Sequence, residues 1–216
     1  MIRLSSNACI GTTCHFFENM ACQSLIRAEN QFLVFSLSAV WNVSPGRHMS
    51  VAIRSESQSD VAAIDALIVS AFLDAPHTSH TEQLIVKALR EAKQLSVSLV
   101  AENKGNLVGH VAVSPVSISD GTEHWYGLGP ISVAPEWQRQ GVGSQLVERA
   151  LTELRKLGAA GCVVLGEPHY YGRFGFKAEP QLVLPNVPPE FFQAISFRTK
   201  VPVSTVAYHE AFNAEG

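Results

Sequence analysis

Residues 138–144, Gln-Arg-Gln-Gly-Val-Gly-Ser, combine a bare backbone with a turn. They follow an apolar run, Leu-Gly-Pro-Ile-Ser-Val-Ala at 128–134, and open a helical pattern over 142–157. Strand, glycine turn and helix start in that order make a place to hold phosphate. The first amides of a helix have no partner within it, and the helix dipole puts about half a positive charge there. Successive N–H groups can therefore converge on an anion. At Gly141 and Gly143 a side chain would hold the oxygens away from the backbone. The predicted occupant is a pyrophosphate, gripped by amides of Gln138, Arg139, Gln140, Gly141, Val142, Gly143 and Ser144.

Two common phosphate loops do not fit. A nucleoside-triphosphate loop needs a lysine and then Ser or Thr after its last glycine, whereas Ser144 and Gln145 follow Gly143. A dinucleotide fingerprint needs a third glycine where this chain has Leu146. What remains is Q-x-x-G-x-G after an apolar strand, with Pro135 just upstream. Later, Tyr170-Tyr-Gly-Arg-Phe-Gly-Phe176 carries a Y-x-x-x-G-F pattern. In this order the two segments resemble the coenzyme A loop and the tyrosine segment of the GNAT N-acetyltransferase superfamily. The resemblance covers roughly residues 51–207 in architecture and is sharp over 128–176.

The resemblance implies a chemistry. Acetyl transfer from a thioester to an amine needs a held donor, a neutral nucleophile and a proton for the leaving thiolate. In the superfamily a splay between the strand before the loop and the next strand admits the pantetheine arm; here these are 128–133 and 162–165. Pantetheine amides would pair with the backbone around Ile131, Ser132 and Val133 like an added strand. One of those N–H groups would polarise the thioester carbonyl. Tyr171 takes the Y-x-x-x-G-F tyrosine position and is the expected proton donor, because a phenol of pKa about 10 stays protonated at neutral pH. Packing against the cofactor arm is its bland role, and the doubled tyrosine makes Tyr170 a rival. Arg173 braces the turn or meets phosphate. Arg139 either adds charge at the mouth or is a solvated surface group.

The base is less well marked. An alkylammonium of pKa near 10.4 costs roughly 4.5 kcal/mol to deprotonate at pH 7. Glu123, His124, Glu167 and His169 lie on or beside the strands expected to line the acceptor cleft. Glu167, directly after the splayed strand, is the chosen base, with helix capping as its structural alternative. His110 on an earlier strand reads as a core or edge histidine. Cys162, inside Cys-Val-Val-Leu, reads as a buried inert thiol. No G-x-S-x-G elbow supports a serine hydrolase, and no histidine pair has metal-binding spacing.

These groups need a frame. The pattern predicts strands at 51–54, 95–102, 107–116 and 123–133, helices at 60–72 and 79–92, the long helix 142–157, and strand 162–165. A short helix at 169–174 and late strands at 176–180 and 199–208 complete it, with 185–192 read as a loop beside the acceptor mouth. The fold class is α/β: a mixed, mostly antiparallel sheet of about six or seven strands flanked by helices. This is the GNAT arrangement.

Bulk properties agree. The 216 residues suit one domain, with 46% hydrophobic and 16% charged residues. A formal charge of −3 gives no general attraction to nucleic acid or anionic membrane. Cys9, Cys14, Cys22 and Cys162 match no zinc spacing and read as free thiols in a reducing cytoplasm. Residues 1–48 lack periodicity apart from an apolar run at 31–41, too short to cross a bilayer. They read as an extension, poorly ordered or not native, ahead of a domain at 49–216. The expected activity is acetyl-CoA-dependent N-acetylation of a primary amine, small or on a protein, by direct transfer in a ternary complex, without a metal. A non-catalytic acyl-CoA-binding module is the alternative, and the resemblance leaves a homodimer open.

Overall fold

The computed structural model describes residues 50–73, 81–198 and 200–214. The expectation for residues 1–48 lies outside them.

A seven-stranded sheet carries the site. It is built from β1 (Ala52–Ser55), β2 (Val97–Asn103), β3 (Asn106–Pro115), β5 (Trp125–Val133), β6 (Gly161–Leu165), β9 (Phe192–Ser196) and β7 (Lys177–Ala178), lying side by side in that order. β5 and β6 run parallel, and the other neighbours run antiparallel. A smaller sheet joins β4 (Ser117–Ile118), β10 (Ser204–Ala207) and β8 (Leu182–Val183).

Alternation along β3 sorts the helices onto two faces. Val111 and Val113 point into a core with Leu99, Leu128 and the helix α3 (Val142–Lys156). That helix contributes Val142, Leu146, Val147, Ala150, Leu151 and Leu154, the apolar stripe expected of a 3.6-residue period. Ala112, between the two valines, packs instead with Ile64 and Ile68 of α1 (Val61–Phe72) and Val86 of α2 (Glu82–Glu91). α1 and α2 therefore cover one face and α3 the other.

The late chain departs from expectation. The loop expected over 185–192 ends one residue early: Phe192 is buried and opens β9, which pairs with central β6 from Leu165 to Gly161. Gln193 hid this strand by breaking the apolar run. It is buried because its Nε2 donates to the Gly166 carbonyl at 3.0 Å. Strand 199–208 shrinks to β10, and 176–180 to β7. Neither has a long ladder to extend it.

Candidate active site

The sheet opens where the sequence places the thioester. Pairing between β5 and β6 runs from Trp125–Gly161 to Leu128–Val164 and stops. Beyond Leu128, β5 stays with β3 while β6 stays with β9. Two sequence features divert β5. A register shift against β3 falls between Val111 and Val113, opposite residues 128–131. Pro130 also has no N–H to continue a ladder. Past this point Ile131 and Val133 pack toward the α3 side, while Ser132 is buried on the other face beside His110.

The turn after β5 begins with a single 3₁₀ turn, Pro135–Trp137. Side chains then staple the loop to the strand. Gln138 Nε2 donates to the Val133 carbonyl at 3.1 Å, and Gln140 Nε2 to the Glu136 carbonyl at 2.6 Å. Both glutamines are thus loop braces. Arg139 is exposed, with φ of 59°. Gly141 is the N-cap of α3 at φ 85° and ψ 0°, a left-handed conformation that glycine adopts without penalty. The first helical bond runs from Gln145 N–H to the Gly141 carbonyl at 3.1 Å. The amides of Val142, Gly143 and Ser144 stand ahead of that ladder, just after the exposed residues 138–141.

The two glycines differ in their reasons. A Cβ at Gly141 would meet nothing within 4 Å, so its backbone angle selects glycine. At Gly143 a Cβ would lie 2.9 Å from the hydroxyl oxygen of Tyr170. The closeness of that tyrosine selects glycine there. No local pattern marks this contact, because Tyr170 reads only as a rival to its neighbour.

The tyrosine segment forms α4 (Pro168–Tyr171) and a following 3₁₀ turn, Gly172–Phe174. Gly175 ends it at φ 93°, and Phe176 anchors it in the core. The two tyrosines part company. Tyr171 is buried, 8% exposed, edge-on to Phe176 at 6.0 Å between ring centres. Its ring lies against Gly166, just beyond β6, where the split widens. Burial raises its pKa above the ordinary phenol value, and the proximity of Tyr170 and Cys162 adds to the rise. Tyr170 is half-buried and sends its hydroxyl to the α3 N-terminus. Arg173 lies 4.6 Å above the Tyr170 ring and donates from Nη2 to Ser144 Oγ at 3.4 Å, as well as from Nε to the Tyr170 carbonyl. It therefore braces the turn and reaches the start of α3 at once.

The carboxylates and histidines scatter. Glu167 is the exposed N-cap of α4, accepting from the His169 amide at 3.5 Å, so it fills the capping role that the sequence left as its alternative. Glu123 and His124 are exposed before β5 begins, a strand length of roughly 25–30 Å from the loop. His169 is exposed on α4. Cys162 is fully buried, and desolvation pushes its thiol pKa up. Tyr208, which no motif marks, lays its ring over Gly127 of β5. Burial raises its pKa too, with Cys162 and Tyr171 as electrostatic neighbours. It stands far along the chain from the strand that it covers, Trp125–Val133, so no local pattern could find it.

A split mixed sheet, a glycine turn opening a helix and a buried tyrosine beside Gly166 are the features expected of a coenzyme A-binding acyltransferase fold. A model of the acetyltransferase (GNAT) family matches residues 53–176. The chain belongs to that family. Over 126 residues it is 38% identical to YhbS, an uncharacterised N-acetyltransferase of Escherichia coli K12, spanning 58% of this chain and 72% of the relative. A GNAT family acetyltransferase from Brucella melitensis, solved with acetyl-CoA, shares 44% identity at a TM-score of 0.68, covering 76% of this chain and 99% of that one. Escherichia coli YhbS, solved with CoA, gives 34% identity and a TM-score of 0.70 over 78% of this chain and 94% of its own. Among the described residues no group of three or more His, Cys, Asp or Glu is placed to hold a metal. No described helix is long and apolar enough to cross a membrane.

Proposed function

We propose that the chain is an acetyl-CoA-dependent N-acetyltransferase that moves acetyl to a primary amine by direct transfer within a ternary complex. The observation that carries this is the stop of the β5–β6 ladder at Leu128 and Val164, with the α3 N-terminus at the mouth of the gap. Relatives of the same fold have been solved with acetyl-CoA or CoA. Amides from Gln138 to Ser144 hold the diphosphate, with Arg173 beside them. Backbone groups of Ile131, Ser132 and Val133 pair with the pantetheine arm. A main-chain N–H there polarises the thioester carbonyl, where fixed donors act most strongly on developing charge.

Tyr171 gives its proton to the departing thiolate. Its raised pKa keeps the phenol protonated, and the same desolvation raises the proton affinity of a thiolate beside it. Its position next to Gly166 puts it at the fork. Tyr170, by contrast, belongs to the phosphate end. Tyr171→Phe lowers turnover about a hundredfold to ten-thousandfold while acetyl-CoA affinity holds. Tyr170→Phe does the reverse, weakening acetyl-CoA binding with turnover largely kept. Calorimetry with acetyl-CoA and thiol release over a panel of amines read both. Full turnover by Tyr171→Phe would remove it from the mechanism.

The role of Glu167 as N-cap gives weight to a second reading, a module that binds acyl-CoA without catalysis. Acetyl-CoA binding with no thiol release on any amine would support it.

A further inference from the structure

Under α1 and α2, on the face away from α3, lies a line of buried polar groups that the roles above leave unused. Ser98 of β2 donates its hydroxyl hydrogen to Glu56 Oε2 at 2.5 Å. Its oxygen also lies 2.9 Å from His110 Nε2, and that nitrogen is 3.8 Å from Glu56 Oε2. A serine has one hydrogen to give, and the carboxylate takes it. The contact with His110 must then be donated by the imidazole, so Nε2 carries the hydrogen and Nδ1 the lone pair. His110 is 0% exposed, and its Nδ1 has no hydrogen-bond partner.

The surroundings of that lone pair point toward the split. His110 faces Ser132 across the β3–β5 ladder, and Ser114 faces Gly127. Directly opposed residues share a face. The hydroxyls of Ser132 and Ser114 are buried without partners, as is one carboxylate oxygen of Asp65 on α1. Gly129, between the two serine positions, borders open space: a Cβ there would meet nothing within 4 Å. Buried donors and acceptors beside such space are what a bridging water satisfies.

We propose that Glu56, Ser98 and His110 form a buried proton relay that takes the proton of the acceptor ammonium through water held by Ser132 and Ser114. This rests on the acetyltransferase reading, in which the donor occupies the α3 side and leaves this face to the acceptor. The ammonium N–H gives its proton to water, and water passes one to His110 Nδ1, forming imidazolium. The freed amine attacks the thioester carbonyl, the C–S bond breaks, Tyr171 protonates the thiolate, and the second amine proton replaces the one Tyr171 gave. The imidazolium then returns its proton to solvent, leaving amide, thiol and one released proton.

Charges facing His110 suit the task. Glu56 and Asp65 favour the transient imidazolium and Arg90 of α2 opposes it, while desolvation, the largest influence, keeps the resting ring neutral. Arg90 also fixes Glu56, donating from Nε and Nη2 at 3.0 and 3.0 Å. Glu56 and Ser98 act by orienting and polarising the imidazole.

Two measurements on the full chain test the relay. Long-range ¹H–¹⁵N ring correlations, with the His110 signals assigned by H110Q, should show hydrogen on Nε2 and a bare Nδ1 at neutral pH. Hydrogen on Nδ1 would overturn the relay. Separately, H110Q and E56Q are compared with wild type on butylamine, charged at neutral pH, and phenylhydrazine, largely neutral there. The expected result is a loss of about a hundredfold in kcat/KM on butylamine, recovering as pH rises toward the amine pKa. Losses on phenylhydrazine stay within about threefold on this view, because that nucleophile needs no deprotonation before attack. Equal losses on both amines at every pH would make the cluster a purely structural one and sink the relay. E56Q, at a half-buried position, carries the comparison if H110Q does not fold. Wild type that binds acetyl-CoA but releases thiol with no amine of the panel refutes the acetyltransferase reading instead, and the ring tautomer still judges the relay.

Discussion

At Gly143 the constraint is a neighbour, and at Gly141 it is the backbone. Gly143→Ala sets a methyl against the Tyr170 hydroxyl at 2.9 Å. Gly141→Val forces a branched residue to φ 85°. We expect both variants to fold and to bind acetyl-CoA at least tenfold more weakly, about 1.4 kcal/mol, which calorimetry would read. Unchanged affinity would remove the loop from the coenzyme site. Of Glu56 and His110 we expect distinct acid signatures. Burial pushes the Glu56 carboxyl up, but hydrogen bonds from His110, Arg90 and Ser98 outweigh it and bring the pKa from 4.5 to about 2. Its contribution to stability is whole above 4.5 and is lost as pH falls toward 2. His110 is depressed below 6.5 by burial, so the unfolded chain takes its proton first and stability begins to fall below that pH. Denaturation midpoints followed across the acid range should show two losses. H110Q should abolish the upper loss and E56Q should flatten the lower; curves parallel to wild type would contradict both assignments.

Elements whose role is local were legible, and those whose role is set at a distance were not. The glycine turn and α3 announce themselves, because cap, period and loop lie within twenty contiguous positions of sequence, 138–157. The arrest of the β5 ladder also has a local mark in Gly129–Pro130. β9 does not: Gln193 looks solvent-facing until its partner at Gly166, 27 positions earlier, is known. Tyr208 and the His110 cluster fail in the same way, since Ser98, Glu56 and Ser132 meet His110 only when four strands are aligned. That lesson carries a test. If β9 is the strut that holds β6 and the α4 turn, Phe192→Ala should cost about 3–5 kcal/mol, the usual toll of emptying a buried aromatic site. Urea unfolding would measure it. A cost under 1 kcal/mol would return residues 185–192 to a peripheral loop.

On the acetyltransferase reading, the molecule separates two tasks across one sheet. The α3 side presents the glycine turn, Arg173 and the half-buried Tyr170, all at one end of β5. The α1–α2 side presents a buried polar seam ending beside Gly127 and Tyr208. Substrates approaching from opposite faces need not compete for space, which suits a ternary complex over a covalent acetyl-enzyme; the buried Cys162, its thiol held protonated, agrees. The fork itself has a thermodynamic corollary. Past Leu128, one rail of β5 lacks a β6 neighbour, so its main-chain hydrogens should trade with deuterium far sooner than those sealed inside β2 and β3. Adding acetyl-CoA ought to quench that exchange over 129–133 before it slows the rest of the sheet, since the ligand would serve as the missing rung.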